Sequence, residues 1–472
     1  MRDLLKRLEF GPWEPDKAAT STLRDARNLM PGKDGYYPVS GLSAVTSAMP
    51  GNFIGGGAFV GFDGTAALLA GTSTNLYRYS GTTWSSVYTG SASHWRFAQF
   101  GTLVIAATGG APVKFDLAGG AAALLGGTPP AASLVATVRD FVVLAGDPAA
   151  IQTVTWSGFN DAEGWTGGTN QSGDQILPDG GEIMGLAGGE YGLILQRRAI
   201  KRLSYVGTPL VFQIDEISSN VGCMAKGSVA QAGRLVFFLS ERGFFYTDGN
   251  DTIPIGDEKF NRWFFGRFSR SDIENGLTAA VDPRANVVYW TMPGSPGVVL
   301  VYHITLQRAS YLQLSVKAVF DGFTANVSLE ALDALYPSGI DSIPVSLDDP
   351  TFSGGSPLIL FSTNGNVIAT LSGNNLEARI ETASSELAPG KRVRLRSFRP
   401  VTDAENGAIV VDIRPTDAGD PATFAASAMR PNGEYPVRAN GRHSSTAFTI
   451  PAATNWTYVS GLDVTFEVEG GR

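Results

Sequence analysis

The residues of this chain that could carry out chemistry are few and lie far apart in the sequence. The 472 residues include three histidines, His94, His303 and His443, and one cysteine, Cys223. Zinc sites need several His, Cys or carboxylate ligands at short spacings such as H-E-x-x-H, and no such spacing occurs. One cysteine allows neither an intramolecular disulfide nor a thiolate cluster. We therefore expect structural roles for these four side chains.

Two pairs of acidic residues are close enough in sequence to suggest cleavage of a glycosidic bond. Asp161 lies near Glu163, and Asp257 adjoins Glu258. Glycosidases use two carboxyl groups that flank the scissile bond, and some β-propellers act on carbohydrates. Acidic residues are also common in loops, so we predict that these four are not catalytic. The eight tryptophans could stack on sugars, but we expect them to pack in the interior.

Two glycine-containing stretches match known ligand-binding loops only in part. Residues 55–61 (GGGAFVG) suggest a dinucleotide loop, but no strand–helix–strand unit surrounds them, which favours a turn at a strand edge. Residues 248–251 (DGND) resemble part of a calcium loop, but the required spacing and the final glutamate are missing. This second stretch is typical of a hairpin turn. We predict no catalytic, cofactor-binding or metal-binding residues, and no enzymatic activity.

The composition is typical of an all-β protein. The chain has 57 glycines and 26 prolines, and 17% of its residues are charged, against a usual share of about 25%. The net charge of −8 argues against tight binding of nucleic acid, which needs clustered Lys and Arg. The N-terminus has no apolar signal region and no apolar run approaches 18 residues, so we expect no membrane span and synthesis in a reducing cytoplasm.

The stretch 229–265 defines the structural unit that is repeated along the chain. Residues 235–239 are an apolar strand, residues 244–247 are an aromatic strand, and residues 253–256 are a shorter strand whose proline indicates a sheet edge. Glycine-containing turns separate the three. The pattern predicts an antiparallel meander.

Apolar strands of this kind occur seven times along the chain, most of them followed by a turn and a second strand, and this repetition predicts a β-propeller. Propeller blades of common kinds take about 40–50 residues and four strands, so seven strand starts suggest about six to eight blades. A closed ring also protects the strand edges that a long meander would expose. A β-helix is the main alternative, but its short, regular period is absent. The seven apolar strands lie near residues 66–70, 103–106, 141–145, 193–195, 235–239, 287–290 and 358–361.

We divide the chain into three parts. Residues 1–48 are predicted as a lead-in that packs on the propeller and contains two short helices, near Leu4–Leu8 and over Leu23–Leu29. Residues 49–374 are the propeller. Residues 375–472, where Lys and Arg become frequent and polar and apolar residues alternate, are predicted as a C-terminal β-sandwich with a basic face.

Three stretches interrupt the strand pattern of the propeller. Helices are predicted over 271–280 and 328–335, the second because Ser328 can cap it and its leucines share one face. The glycine-rich stretch 165–189 is predicted to be a long loop.

Several strings resemble tail proteins of double-stranded DNA bacteriophages, and most closely the tail hub or nozzle proteins of short-tailed phages, also called head-closure or stabilisation proteins. The resemblance runs from about residue 26 to residue 283, and its strings carry no catalytic meaning. They are residues 28–31 (NLMP), 35–41 (GYYPVSG), 95–101 (WRFAQFG), 156–166 (WSGFNDAEGWT), 179–181 (DGG) and 188–192 (GGEYG).

The resemblance implies a β-propeller that assembles with other copies of itself as a ring of six. The ring would lie below the portal and its adaptor, in contact with other tail proteins, and DNA would pass through its lumen without specific binding. The protein would be a virion tail component made in the host bacterial cytoplasm. The alternative is a carbohydrate-binding or carbohydrate-cleaving propeller, such as a receptor-binding tail protein. A cellular propeller scaffold is a third possibility.

Overall fold

The described residues among the first 44 form strands and no helix. The structure of the protein is a computed structural model that describes residues 4–17, 21–323, 357–416 and 419–469. Its first five strands are β1 (Leu4–Glu9), β2 (Leu23–Arg27), β3 (Leu29–Pro31), β4 (Tyr36–Pro38) and β5 (Ser40–Ala44). The two helices predicted in this segment are therefore wrong. The leucine spacing that suggested them lies in strands whose partners are hundreds of residues away.

Residues 55–254 form five consecutive four-stranded antiparallel sheets, each built from neighbouring strands in simple up-and-down order. Blade 1 is β6 (Gly55–Val60), β7 (Ala66–Gly71), β8 (Asn75–Tyr79) and β9 (Trp84–Thr89). Blade 2 is β10 (Arg96–Phe100), β11 (Leu103–Ala107), β12 (Val113–Asp116) and β13 (Ala122–Leu124). Blade 3 is β14 (Leu134–Val138), β15 (Phe141–Asp147), β16 (Ala150–Trp156) and β17 (Gly173–Ile176).

Blade 4 is β18 (Ile183–Ala187), β19 (Gly192–Gln196), β20 (Ile200–Gly207) and β21 (Val211–Ser218). Blade 5 is β22 (Ala230–Ala232), β23 (Leu235–Ser240), β24 (Gly243–Thr247) and β25 (Thr252–Pro254). A short 3-10 helix, Lys226–Ser228, precedes blade 5, and two short helices follow it, α1 (Asn261–Phe265) and α2 (Arg270–Gly276). The helix predicted at 271–280 thus exists but ends earlier.

Blades 6 and 7 complete a ring of seven, within the predicted range of six to eight. Blade 6 is β26 (Thr278–Asp282), β27 (Val287–Met292), β28 (Gly297–His303) and β29 (Arg308–Leu314). Blade 7 is β30 (Val316–Phe323), β31 (Pro357–Thr363) and β32 (Ile368–Asn375), with β5 as its fourth strand. The first strand of blade 7 contacts the first strands of blades 6 and 1, so the ring is closed. The helix predicted at 328–335 lies outside the described residues.

The seven apolar strands found in the sequence are the second strands of the seven blades, one in each. These strands are almost wholly buried, as in β15 and β27, because each lies inside its sheet and packs against neighbouring blades on both faces. The first strands line the channel and are less apolar, so the sequence pattern did not reveal them as the blade starts.

Two glycine-rich stretches were expected to be turns or loops but contain strands. Residues 55–60 form β6, where glycine permits close packing, because a Cβ atom on Gly56 would lie 2.9 Å from the Phe53 ring. Residues 165–189 contain β17 and β18. Gly173 pairs with Trp156 in blade 3, and a Cβ atom there would lie 2.9 Å from the indole ring.

The C-terminal residues form a β-sandwich, as predicted, but its two sheets also include strands from the N-terminus. Its own strands are β33 (Ala378–Thr382), β34 (Ser385–Glu386), β35 (Val393–Thr402), β36 (Ala408–Arg414), β37 (Ala422–Ala425), β38 (Tyr435–Gly441), β39 (His443–Ile450) and β40 (Val459–Val468). One sheet has the order β3-β4-β40-β35-β38, with β1 also paired to β40. In the other, β2 joins β29 of blade 6 to β33.

The propeller and the sandwich therefore share one sheet and one core. The ten-stranded sheet runs from blade 6 through β2 into the sandwich. A single cluster of buried side chains includes Trp13 of the N-terminal segment, Phe244 and Trp290 of blades 5 and 6, and Leu395 and Phe448 of the sandwich. The segment predicted to pack on the propeller is built into both parts, because its strands complete sheets in each.

The basic face expected of the sandwich is the outer face of the sheet that contains β35. Exposed arginines on β35, β38 and β1 lie there, and the carboxylates of Asp463 and Glu467 partly offset them. Residues 375–472 as a whole hold nearly equal numbers of acidic and basic residues. The basic character therefore belongs to one face and not to the whole sandwich.

Candidate functional site

A cluster of charged side chains lies at one mouth of the propeller channel. All first strands of a propeller run in the same direction, so the residues that precede them meet at the same face. Here these residues are Ser93, His94 and Arg96 before or at the start of blade 2, Ser133 before blade 3, Glu182 before blade 4 and Lys226 before blade 5. We call these six residues the mouth cluster.

Three nitrogen-bearing side chains of the mouth cluster converge on Ser133. The Nε2 atom of His94 lies 2.9 Å from the Ser133 carbonyl oxygen, and Arg96 donates to the same oxygen over 3.1 Å. The Nζ atom of Lys226 lies 3.4 Å from the Ser133 hydroxyl oxygen. Lys226 belongs to blade 5 and Ser133 to blade 3, so this contact passes over blade 4 at the mouth of the channel.

A chain of ion pairs continues from Lys226 along the same face. Lys226 lies 2.7 Å from Glu182, which Arg197 also approaches within 3.8 Å. Arg197 pairs with Glu274 of α2 at 3.0 Å, and Glu274 pairs with Arg270 at 3.0 Å. Arg270 in turn contacts Glu241 in the turn that follows β23. The alternating charges connect blades 4, 5 and 6.

The electrostatic surroundings of His94 and Arg96 are positive. Burial, followed by the charges of Arg96 and Lys226, lowers the pKa of His94 to about 4, so the imidazole is neutral at pH 7. Burial also lowers the pKa of the Arg96 guanidinium to about 10. Burial raises the pKa of the nearby Cys223 thiol to about 11, which keeps the thiol protonated and unreactive.

The opposite mouth of the channel is held together mainly by uncharged groups. Gln99 donates to the Val60 carbonyl over 2.9 Å, and Thr137 donates to the Gln99 carbonyl over 2.8 Å. Gln231 donates to the Gly188 carbonyl over 2.7 Å. Each bond joins a blade to the preceding one. The charged mouth therefore differs from the other mouth in chemistry as well as in position.

Ser93 and His94 form a hydrogen bond that superficially suggests a nucleophile and its base. The Ser93 Oγ atom lies 2.9 Å from His94 Nδ1 and 3.1 Å from the Thr108 carbonyl oxygen. The other ring nitrogen faces the Ser133 carbonyl and not a carboxylate, and a histidine with a pKa near 4 is a weak base. The arrangement is better suited to holding the strand entries together than to activating a hydroxyl.

The acidic pairs that suggested glycoside cleavage lie in turns. Glu163 accepts from Lys114 Nζ over 2.6 Å and from the Gly126 amide over 3.0 Å, and these contacts lower its pKa. Asp161 accepts from the Glu163 amide over 3.0 Å. Asp257 and Glu258 are exposed in the turn before α1. The first pair therefore helps to join blade 3 to blade 2, and the second pair forms part of an exposed polar turn.

The remaining sequence candidates are spread over the molecule. Asp248 accepts from the amides of Asn250 and Asp251, which confirms the hairpin turn. His303 ends β28, and His443 begins β39 in the sandwich, 3.4 Å from Glu386. In the described part of the chain, no group of three or more His, Cys, Asp or Glu side chains could hold a metal ion.

Sequence reasoning noticed the string 95–101 but not the role of Arg96 within it. A signal is present, since Arg96 begins the first strand of blade 2 and Lys226 lies four residues before the first strand of blade 5. The sequence alone does not reveal it, because the apolar second strands stand out in the pattern and the first strands do not. Residues 94, 96, 133 and 226 belong to blades 2, 3 and 5 and come together only when the ring is closed.

No protein-family model and no curated protein matches the chain. Solved structures that match include U3-55K, with 9% identity over 60% of this chain and 89% of that one and a TM-score of 0.39. The WD40 domain of Neurospora crassa Pan2 matches with 9% identity over 73% and 98% of the two chains and a TM-score of 0.41. The AfRom2 CNH domain matches with 9% identity over 71% and 98%, also at 0.41. All three TM-scores are below 0.5, so these similarities are too weak to support the fold, which the strand pairing defines. No helix among the described residues is long and apolar enough to cross a membrane.

Proposed function

We propose that this protein is a structural component of a bacteriophage tail, a hub or nozzle subunit that forms part of the conduit for genome ejection. The sequence strings described above suggest this class. The structural observation that supports it is the way in which residues 4–44 join the propeller to the sandwich. We expect no enzymatic activity from this role.

A conduit subunit has to keep its shape while DNA moves past it. Two domains in one chain usually move relative to each other unless the interface between them is large and apolar. Here β2 continues the sheet of blade 6 into the sandwich, and one buried cluster spans both parts. Relative motion of the two parts would have to break paired strands and expose buried aromatic side chains. A rigid body of this kind suits a ring subunit.

Assembly as a ring needs surfaces that fit neighbouring copies. Exposed apolar side chains are present on separate parts of the molecule, including Leu5 on β1, Phe62 in the turn between β6 and β7 of blade 1, and Leu210 in the turn between β20 and β21 of blade 4. A contiguous exposed apolar patch marks a contact surface, and each of these side chains would contribute to one only together with its neighbours. A head-to-tail ring uses two different surfaces of each subunit, as this distribution allows.

The location of the protein is the decisive test. Particles from the source lysate are labelled with gold-conjugated antibody against this chain, with preimmune serum as the control. Label at the tail, just below the portal vertex, is the expected result. If intact and partly disrupted particles carry no label, the proposal fails, and binding and cleavage of polysaccharide would be the next property to measure.

Native mass spectrometry of the purified protein tests the ring independently. The expected species has about six times the 49.8 kDa mass of one chain, alone or after addition of the portal and adaptor. A protein that stays monomeric with these partners present would contradict the ring.

A further inference from the structure

We propose that the charged mouth of the propeller channel binds a small oxyanion, a phosphate or a carboxylate, between the Arg96 guanidinium and the Lys226 ammonium group. The site is formed by residues of the mouth cluster and does not depend on the proposed tail function. The chemistry recognised is the same whether the oxygens belong to free phosphate or to a carboxylate.

The first argument is the number of donors that the protein leaves available. A guanidinium has five N–H donors. Arg96 uses one of them, in the 3.1 Å bond to the Ser133 carbonyl, and forms no ion pair with a carboxylate of the described residues. Lys226 has three donors and uses two of them, one toward Glu182 and one toward the Ser133 hydroxyl, so one is left. The remaining donors of Arg96 can reach a ligand in the channel.

The second argument is the charge balance around these donors. An enclosed charge is costly unless a counter-charge or several hydrogen bonds accompany it. Glu182 offsets Lys226, but no carboxylate among the residues that the structure describes pairs with Arg96 or His94, and the two cations together disfavour protonation of His94. An oxyanion beside Arg96 would supply the missing negative charge and accept charge-assisted hydrogen bonds.

The third argument is the position of the donors. Arg96 comes from blade 2, Ser133 from blade 3 and Lys226 from blade 5, so their side chains face one another across the mouth and not along one blade surface. The closed ring fixes all three backbones. Donors held in place before the ligand arrives lose little conformational entropy on binding. Guanidinium and ammonium groups are also the usual partners of phosphate and carboxylate oxygens.

Isothermal titration calorimetry of the full chain tests the proposal. Inorganic phosphate and acetate are titrated separately at constant ionic strength, with chloride as the background ion. Arg96→Gln removes the guanidinium charge, and Arg234→Gln removes an equivalent charge from the exposed turn at the other end of blade 5. We expect the wild type and Arg234→Gln to bind at least one of the two anions alike. Arg96→Gln should bind it about tenfold more weakly, the value of one charge-assisted bond.

Each outcome decides the proposal. Equal affinities of the wild type and Arg96→Gln, or an equal loss in Arg234→Gln, would overturn it, as would a wild type that binds neither anion in the millimolar range. A preference for phosphate or for acetate identifies the source of the oxyanion. Arg96→Lys serves if Arg96→Gln does not fold. It keeps the charge but loses the planar fork, so weaker binding than in the wild type is expected, and unchanged binding would count against the site.

Discussion

Blades 1 to 5 and the rest of the molecule are completed in different ways. Each of the first five blades consists of four strands that are consecutive in sequence. Blade 7 receives its fourth strand from residues 40–44, and the outer strand of blade 6 pairs with β2, as in the bridge from Arg27 to Tyr311. The sandwich also depends on the N-terminal strands. The comparison teaches that the blades are mostly defined by strands adjacent in sequence, whereas blade 7, the joint and the sandwich need partners that are hundreds of residues away.

Deletion of residues 1–44 should have the largest effect and should divide the molecule along this line. The deletion removes β5 from blade 7, β2 from the joining sheet and β1, β3 and β4 from the sandwich. We expect hydrogen exchange to become fast in the sandwich and in blades 6 and 7, while blades 2 to 4 keep protected amides. If the sandwich keeps its protection, the N-terminal strands are not needed to complete it.

Trp13→Ala should have the next largest effect. The Trp13 ring is buried and packs against Phe260, Trp263 and Tyr311, which lie in or beside α1 and in β29. Removing a buried aromatic side chain of this size costs about 3–5 kcal/mol. Chemical denaturation should show this loss.

The matched control for Trp13 lies in a blade that is completed locally. Trp165 is partly exposed in the loop of blade 3 and donates to the Ala162 carbonyl over 2.9 Å. Trp165→Ala should lose less stability than Trp13→Ala. Equal losses would mean that the N-terminal segment is no more important to the fold than a loop within one blade.

The same division explains what the sequence could and could not predict. The meander at 229–265 was recognisable because its strands and turns are adjacent, and the apolar second strands gave the number of blades within the predicted range. The sequence predicts a helix where β1 lies, because Leu4, Leu5 and Leu8 also fit a helical spacing and the partner strand β40 is near the other end of the chain. The mouth cluster was missed for the same reason, since His94 and Lys226 meet Ser133 only in the closed ring.

Asn28→Ala should have a smaller effect that is still concentrated at the joint. Asn28 follows β2 in a left-handed backbone conformation, with φ of 58°. Its side chain accepts from the Gln313 amide over 2.7 Å and donates to the Glu377 carbonyl over 2.8 Å, which ties three segments together. Loss of these bonds should cost about 1–3 kcal/mol in the free energy of unfolding.

Two substitutions separate the bonds of Asn28 from its backbone conformation. Asn28→Gly tolerates the left-handed backbone conformation but does not restore the two lost hydrogen bonds. It should therefore be more stable than Asn28→Ala and less stable than the wild type. Asn160→Ala changes a residue with a similar φ of 51° in an exposed turn of blade 3 and should cost less than Asn28→Ala. A larger loss for Asn160→Ala would reverse the expected ranking of the two regions.

The smallest effects are expected from two titratable groups, the half-buried His94 and the exposed Asp321, which should respond to pH in opposite directions. In blade 2, burial lowers the pKa of His94 to about 4 from its ordinary 6.5, so its contribution to stability is present above pH 6.5 and is lost as the pH falls toward 4. In blade 7, the Asp321 side chain is exposed to solvent, but desolvation by the protein around it raises its pKa to about 6 from its ordinary 3.8. Solvent screening keeps its effect on stability small. Its contribution is present below pH 3.8 and is lost as the pH rises through 6.

His94→Gln and Asp321→Asn should show these opposite signs in the melting temperature. Asp321 accepts from the Val281 amide over 2.9 Å, and an asparagine oxygen can replace that acceptor. Asp321→Asn should therefore melt above the wild type at pH 7 to 8, with the difference disappearing near pH 4. His94→Gln should lose less stability than the wild type between pH 6.5 and pH 4. Hydrogen exchange shows how far each effect spreads. If Asp321→Asn changes amide protection only in blade 7 and His94→Gln only in blades 2 and 3, the ring transmits little of either effect to neighbouring blades. A uniform change around the ring would instead show that the locally completed and remotely completed blades form one cooperative unit.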